Sequence, residues 1–242
     1  MAALLEVDHL CKRYGAVVVA DDICCTIDHA CCVGLIGPNG AGKSSLFNML
    51  TGIIAPDDGV IRFEGCDISE VAAHRRARLG IVRAFQIPRP FAQLSVYENV
   101  LTAALYGAGL SGASAQRLAV EVLNKTGLLA YADEPAGHLR LLDRKRLELA
   151  KAIASRAKLL LLDEIASGLT EHEVAALIDL IAALKPDHAI IWIEHIPHAL
   201  RAVADRIMVL HFGRKVLDGA PADVIASSMV REIYMGLPAD AA

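Results

Sequence analysis

The 242-residue chain lacks the features of several protein classes. Its strongly apolar stretches, such as residues 159–162 and 189–193, are far shorter than the ~20 residues of a membrane-spanning helix. Residues 1–9 contain neither a basic segment nor an apolar core, so we expect no signal peptide and a cytosolic location. The net charge of −4 provides no basic excess for nucleic-acid binding. A hydrophobic fraction of 55% excludes a disordered chain.

The six cysteines also lack a recognisable pattern. None belongs to a C-x-x-C pair, and no histidine follows at the spacing of a zinc finger. Two adjacent pairs occur at 24–25 and 31–32, while Cys11 and Cys66 stand alone. We therefore predict no zinc site and interpret the cysteines as reduced, small hydrophobic residues in strands.

The hydrophobic pattern changes twice along the chain, which predicts an α/β fold with a helical insertion. Short strands separated by turns fill the first third, residues 92–157 have helical periodicity, and the last third alternates strands and helices. We predict a single domain, residues 1–242. Its α/β core would comprise about 1–87 and 158–242, and an inserted helical lobe would comprise about 88–157.

Individual elements follow from periodicity and turn residues. The predicted strands are residues 4–10, 16–20, 23–27, 31–36, 60–63, 158–162 and 189–193. The predicted helices are residues 42–50, 171–184, 196–204 and 221–236. Residues 206–210 and 215–217 flank Phe212-Gly213 and are typical of a hairpin. Turns at 21–22 and 28–29 are expected to separate the early strands.

A phosphate-binding motif follows the predicted strand at 31–36. Residues 37–44 read Gly-Pro-Asn-Gly-Ala-Gly-Lys-Ser and match G-x-x-x-x-G-K-[ST] at every position, directly before a predicted helix. In such a motif, backbone N–H groups and the helix N-terminus face phosphate oxygens, the lysine contacts the β- and γ-phosphates, and the hydroxyl binds Mg²⁺. An ordinary strand–turn–helix junction has no reason to match eight positions. The predicted cofactor-binding residues are Gly37, Pro38, Asn39, Gly40, Ala41, Gly42, Lys43, Ser44 and Ser45, with Ser44 also a metal ligand.

Two carboxylates follow the apolar strand at 158–162. Ligands of parallel sheets bind at the carboxyl ends of the strands, where Asp163 is expected to lie. We predict that Asp163 holds Mg²⁺, directly or through water, and that Glu164 is the general base for an attacking water. Taken alone, an Asp-Glu pair after a strand is more often a solvated strand end. The phosphate motif in the same chain favours the catalytic interpretation.

With these motifs, the chain resembles the nucleotide-binding subunit of ABC transporters over nearly its full length. The resemblance implies the P-loop NTPase fold of ABC ATPases, with a RecA-like parallel-sheet core, an N-terminal antiparallel β part and an inserted helical lobe. It also implies hydrolysis of ATP with Mg²⁺. By their place in the family's motifs, Tyr14 would stack on adenine, and His195 would contact the γ-phosphate. Gln86 would sense the γ-phosphate, bind the metal ion and touch the membrane partner. Lys43 and Glu164 complete the implied catalytic set.

Three positions depart from the family's pattern. The signature, usually Leu-Ser-Gly-Gly-Gln, reads Leu-Arg-Leu-Leu-Asp at residues 139–143, so the serine and both glycines that face phosphate are replaced. Either Arg140 compensates as a charged donor, or the segment is degenerate and caps ATP poorly; we favour the second interpretation. Thr170 stands where Asp is usual in the loop 167–170 that crosses to the partner subunit. Ile165 stands where Pro is usual, which we expect to alter loop stiffness more than chemistry.

Within the family, the chain looks most like the subunits of branched-chain amino acid importers. Relatives of this type serve urea, amides and aromatic acids, and a cousin works in lipopolysaccharide export. Residues 83–86, 94–99, 143–150 and 231–236 carry the resemblance. It implies transmembrane permease partners, docked near residues 87–91, a second ATP-binding subunit in a heterodimer and, indirectly, a periplasmic binding protein. The chain would lie peripherally on the cytoplasmic face of the inner membrane, without a nucleic-acid partner.

Two other functions stay open at this point. One is a soluble, non-transport ABC-type ATPase, which the lack of coiled-coil arms and of a second ATPase domain disfavours. The other is a regulatory subunit that binds ATP but turns it over weakly. The altered signature favours the regulatory function, whereas the retention of Glu164 and His195 disfavours it.

Overall fold

Two β-sheets organise the protein in a computed structural model, which describes residues 3–235. The strands are β1 Leu5–Tyr14, β2 Val17–Ile27, β3 Cys32–Ile36, β4 Asp58–Phe63, β5 Cys66–Asp67, β6 Ile81–Ala84, β7 Leu159–Asp163, β8 Ala189–Ile193, β9 Arg206–His211 and β10 Arg214–Gly219. One sheet has the order β2-β1-β4-β5, and the other has the order β10-β9-β3-β8-β7-β6. The α/β fold class predicted from the sequence is thereby confirmed.

The helices surround the six-stranded sheet in chain order. They are α1 Lys43–Leu50, α2 Ala73–Leu79, α3 Val96–Thr102, α4 Gly112–Lys125, α5 Leu141–Ala154, α6 Glu171–Leu184, α7 Pro197–Val203, α8 Pro221–Ala226 and α9 Ser228–Met235. A π-helical turn, Ala103–Gly107, extends α3. The predicted tail helix is two helices, because the backbone at Ser227 is extended. Gly236, the predicted end of that tail, lies outside the described residues.

The antiparallel sheet differs from prediction at one point. The turn expected at 21–22 is wrong, since β2 continues through both residues and pairs with β1 from Val17 to Ile27. The register between the two strands shifts around this region, and Asp22 has a positive φ of 58°. These are the marks of a β-bulge, which bends a strand without ending it. The turn predicted at 28–29 is present.

The six-stranded sheet is parallel through β3, β8, β7 and β6, and β9 pairs in parallel with β3. The hairpin predicted at its edge is confirmed, because β9 and β10 pair antiparallel. Sequence reasoning missed β6 and α2. The four residues of β6 include Arg83 and show no clean alternation, so only their pairing with β7 identifies them as a strand.

Alternate residues of the central strands face two different hydrophobic clusters. Leu160, Leu162 and Trp192 pack in one cluster with residues of α3, α4, α5 and α6. Leu161 and Ile191 pack in the other cluster, with residues of α1 and of the antiparallel sheet. Since side chains of a strand alternate between its two faces, a strand covered on both faces must be apolar at every position.

The chain between β6 and β7 is helical, as the periodicity predicted, and holds α3, α4 and α5. A capping box opens α3: Ser95 Oγ accepts the Glu98 N–H, and Glu98 accepts the Ser95 N–H. Asn99 is completely buried and bonds Phe91 at both its amide groups, which holds the turn before α3 in place. The division into a core and a lobe stays a prediction.

We predict that buried His188 makes stability sensitive to mild acid. His188 Nδ1 lies 2.8 Å from the Ala157 carbonyl oxygen, where it donates from a neutral ring, and burial lowers the His188 pKa below 6.5. The unfolded chain therefore binds this proton more readily, so stability falls as pH drops below about 6.5. Urea midpoints at several pH values should fall less for His188→Asn than for the wild type. The exposed His29→Asn variant is the matched control, and equal pH slopes for all three proteins would contradict the prediction.

Candidate functional site

The parallel pairing brings three segments to one edge of the sheet. Leu35 of β3 and Asp163 of β7 both pair with Ile193 of β8. The chain therefore leaves β3, β7 and β8 at the same edge, carrying the loop 37–42, Glu164 and the pair 194–195. The sheet thus brings together the two sets of residues predicted to handle phosphate and water.

The loop 37–42 follows a path that two glycines alone permit. Gly37 has a φ of 153°, and a Cβ there would lie 2.2 Å from the Leu210 carbonyl oxygen. Gly42 has a φ of 100°, and a Cβ there would lie 2.2 Å from the Val19 carbonyl oxygen. The loop is therefore held between β9 and β2. A side chain at either glycine would push it out of this position.

Lys43, the first residue of α1, is buried under the loop. Its Nζ donates to the carbonyl oxygens of Gly37 and Pro38, at 2.6 and 3.0 Å. Burial lowers the Lys43 pKa, and the negative charges of Glu164 and Asp163 oppose that lowering. The ammonium group is thus close enough to both carboxylates to interact with them. Ser44 follows with an exposed side chain.

Asp163 ends β7 and pairs with a cation from the neighbouring strand. Arg83 Nη2 donates to Asp163 Oδ2, and Arg83 Nη1 donates to Asn48 Oδ1 at 2.7 Å. The guanidinium also faces the rings of Phe47 and Phe85, 5.6 and 4.9 Å from their centroids. Asp163 therefore lies in a fixed orientation with its charge balanced.

Glu164 is shared by two of the predicted catalytic residues. Gln86 Nε2 donates to Glu164 Oε2 at 2.6 Å, and His195 Nε2 lies 2.9 Å from Glu164 Oε1. Glu164 has a φ of 46°, and its N–H donates to the Ile193 carbonyl oxygen at 2.9 Å. This unusual backbone angle is stabilised by the hydrogen bond and aims the carboxylate at the other two side chains. The structure thus brings Gln86, Glu164 and His195 together, as the sequence predicted.

Side chains of α5 hold the loop that carries Gln86. Lys145, almost fully buried, donates to the Gln86 carbonyl oxygen. Glu148 Oε1 accepts the Arg89 N–H at 2.9 Å, and Lys151 Nζ donates to the same Glu148 oxygen at 2.7 Å. Burial lowers the Lys145 pKa, and nearby carboxylates oppose that lowering. The backbone of the Gln86 loop is therefore anchored to one helix.

That same helix begins at the altered signature. Residues 139–143 lead into α5, with Arg140 at the N-cap but without a side-chain capping bond. Asp143 lies in the first turn, 3.3 Å from Arg146. Leu141 is 41% exposed and lies against Gly168, whose added Cβ would be 3.3 Å from a Leu141 methyl. Where the family presents a hydroxyl and glycines, this chain presents a leucine side chain and a carboxylate.

Thr170 has a defined structural role in place of the usual aspartate. It is the N-cap of α6, and its N–H and hydroxyl donate to Glu173 Oε2 at 2.9 and 2.8 Å. These bonds lower the Glu173 pKa. Ile165 is fully buried in the hydrophobic cluster on the α5 side of the sheet. The departures at both positions are thus compatible with an ordered loop.

Two aromatic residues lie on strands that flank the loop 37–42. Tyr14 ends β1, is half-exposed, and has the Lys12 Nζ 5.5 Å from its ring centroid. Phe212 is 76% exposed at the β9–β10 turn, where the neighbouring Gly213 N–H donates to the Ala41 carbonyl oxygen at 3.1 Å. Tyr14 stays the predicted adenine contact, and Phe212 is a second candidate that sequence reasoning missed.

A family model described as ABC transporter matches residues 20–167. The chain belongs to the ABC transporter family. This ABC protein is 34% identical to the high-affinity branched-chain amino acid transport ATP-binding protein BraF of Pseudomonas aeruginosa, over 96% of its own length and 98% of BraF. It is 31% identical to the lipopolysaccharide export system ATP-binding protein LptB of Escherichia coli, over 97% and 98% of the two chains.

The ABC protein also matches solved structures along their whole length. The ADP conformation of MJ1267, an ATP-binding cassette of an ABC transporter, has a TM-score of 0.88 at 25% identity and covers 98% of this chain and 100% of its own. The predicted ABC ATPase fold is therefore confirmed. The protein is the ATP-binding, ATP-hydrolysing subunit of an ABC transporter and works with transmembrane permease subunits. Among residues 3–235, no helix has the length and apolar character needed to cross a membrane.

Sequence reasoning about this ABC protein missed Arg83 and Lys145. Arg83 lies within the stretch 83–86 that carried the resemblance, but only the pairing of β6 with β7 places it beside Asp163. Lys145 lies 59 residues from Gln86 along the chain. A charged residue on the buried face of a helix was the available signal for Lys145, since such groups are rarely buried without a partner.

We predict that Lys145 positions Gln86 for turnover. Lys145→Met should leave nucleotide affinity unchanged and lower kcat by about tenfold, since a hydrogen bond from a charged donor is worth roughly 1.5 kcal/mol or more. Lys145→Arg should restore most of kcat, because it keeps the donor and the charge. Lys125→Met, at a surface lysine paired with Asp187, is the matched control. Equal kcat values for Lys145→Met and Lys125→Met would show that the anchor is dispensable.

Proposed function

We propose that this subunit energises the import of branched-chain amino acids or a related small solute, as the unequal half of an ATPase heterodimer. It would be peripheral, on the cytoplasmic face of the inner membrane, with a periplasmic binding protein delivering the solute to the permease. The name and full-length match of BraF support the choice of solute class. Export of lipopolysaccharide, supported by the match to LptB, is the second candidate.

The roles of the site residues follow from their contacts. Lys43 would neutralise the β- and γ-phosphates, since its ammonium lies under the loop 37–42. Glu164 would take the proton of the attacking water, oriented by Gln86 and His195 on its two oxygens. Burial raises the pKa of Glu194, whose carboxylate accepts the His195 and Ala166 N–H groups and so fixes the start of that segment.

The donors near the phosphate loop fit a magnesium ion. Ser44, Asp163 and Gln86 offer hydroxyl, carboxylate and amide oxygens, the ligand types that Mg²⁺ prefers. When bound, the ion supplies positive charge to the phosphate oxygens. Arg83 holds Asp163 ionised and oriented through its hydrogen bond, so this carboxylate is ready to serve as a ligand.

The signature segment is the observation that supports a heterodimer. In a composite site, each subunit's phosphate loop is capped by the other's signature. Leu141 and Asp143 add bulk and negative charge where a phosphate must be approached, so this chain would cap its partner's ATP poorly. Its own ATP, held by Lys43 and Glu164, would take a cap from the partner. A homodimer would have two poorly capped sites.

An apolar edge supports docking to the permease. Phe85, Ile87 and Phe91 are 46%, 67% and 57% exposed, and they lie beside the Gln86 loop that α5 anchors. Large apolar side chains clustered at one surface favour a protein partner. The segment 87–91 therefore stays the proposed docking edge, and its anchors would carry motion from the ATP site.

ATP hydrolysis by the purified chain, alone and with its partner ATPase and permease, tests the proposal. We expect low activity alone that rises severalfold or more in the complex, and Glu164→Gln should abolish it and trap ATP. Glu171→Gln, at an exposed residue of α6, is the matched control. High activity of the chain alone, lost in Glu164→Gln, would show that residues 139–143 form a working cap and would overturn the asymmetry.

Uptake of radiolabelled leucine by proteoliposomes that hold the complete complex tests the solute class. Accumulation that depends on the binding protein and is lost in Glu164→Gln would support import of amino acids. A complex that hydrolyses ATP at full rate but accumulates no leucine would overturn that solute. Recovery of the chain with ribosomes or DNA, rather than with permease, would support a non-transport ATPase.

A further inference from the structure

Strands β1 and β2 carry a second group of chemically active side chains, separate from the residues assigned to ATP. Asp8 and His9 on β1 and Cys24 on β2 each offer one donor atom, and these atoms lie within 4.8 Å of one another. All three residues belong to the antiparallel sheet, whereas Asp163 and Glu164 follow a strand of the parallel sheet. Carboxylate, imidazole and thiol together form a set of metal-binding donors.

A bulge accounts for this juxtaposition. In a regular strand, Asp8 and His9 would point to opposite faces of the sheet. The register instead shifts between Val7 and Leu10, and His9 has a φ of 49°. Both side chains are exposed as a result. Bulges redirect side chains in this way, often beside functional sites.

A carboxylate from the second bulge orients the imidazole. His9 Nδ1 lies 2.5 Å from Asp22 Oδ1, and His9 Nε2 lies 3.6 Å from Asp8 Oδ1. With its Nδ1 proton donated to Asp22, the neutral ring presents the Nε2 lone pair toward Asp8. In a tetrahedral zinc site with bonds of about 2.1 Å, two such donors are separated by roughly 3.4 Å. The observed separation is already close to that value.

Cys24 completes the donor set. Its Sγ accepts the His9 N–H at 3.2 Å, a contact that favours the thiolate, the form that binds metals. Nitrogen, oxygen and sulfur donors together select zinc over magnesium or calcium, which take oxygen donors alone. Three protein ligands leave a fourth position for water.

We propose that Asp8, His9 and Cys24 form a Zn²⁺ site, with Asp22 as the positioning residue for His9. This differs from the expectation that no zinc site exists, because spacing along one segment cannot reveal donors contributed by two strands. The site lies next to the support of the phosphate loop: the Asp21 N–H donates to the Gly213 carbonyl oxygen, and the Gly213 N–H donates to the Ala41 carbonyl oxygen. A bound ion would fix β2 just beyond this contact.

Titration of the reduced, metal-free chain with Co²⁺, a spectroscopic substitute for zinc, tests the site directly. A thiolate ligand gives an intense near-ultraviolet charge-transfer band, and Zn²⁺ should remove that band at one equivalent. We expect the band in the wild type and in Cys66→Ser, which alters an exposed cysteine of β5. It should be lost in Cys24→Ser, and His9→Gln should weaken binding strongly.

Asp22→Asn distinguishes a metal site from a set of structural hydrogen bonds. Loss of such a supporting carboxylate typically weakens metal binding by about 10–100-fold, so the Co²⁺ affinity should fall within that range while the band is retained at saturation. Retained ATP binding by each variant would show that it is folded. A wild type without the charge-transfer band, or a band that persists in Cys24→Ser, would overturn the proposal.

Discussion

The parallel pairing of β3, β8 and β7 is the constraint on which the site depends. Because Leu35 and Asp163 share Ile193 as a pairing partner, the phosphate loop and the two carboxylates must leave the sheet at the same edge. No side chain has to reach far. Lys43 is close enough to Asp163 and Glu164 for their charges to affect its pKa, and His195 reaches Glu164 directly. Backbone hydrogen bonds thus determine where the chemistry takes place.

Helix α5 links this edge to the rest of the molecule. Its N-terminus carries the altered signature, and its middle anchors the Gln86 loop through Lys145 and Glu148. The two functions of the helix are therefore separable. Its phosphate-facing end has lost the residues that suit a cap, whereas its anchoring residues are in place. A subunit of this kind can receive and transmit movement while contributing little to its partner's ATP site.

The local motifs could be predicted from sequence, and the long-range contacts could not. The phosphate loop and the Asp163-Glu164 pair are contiguous and follow apolar strands, so their place in the fold follows from spacing alone. Arg83 lies beside Asp163 only because β6 pairs with β7, a strand that is too short to show a pattern. The bulges at His9 and Asp22 likewise depend on the register between β1 and β2, and one of them was predicted as a turn.

The alternation of the central strands between two hydrophobic clusters has a consequence for misfolding. A slip of β7 by one residue would send Leu160 and Leu162 into the cluster that holds Leu161, and Leu161 into theirs. The same slip would remove Asp163 from the pairing that puts it beside Arg83. Incorrect register would therefore spoil both interiors and the active edge at once. A stable but inactive form is not accessible by this error, so the quality of folding and the quality of the site are tested together.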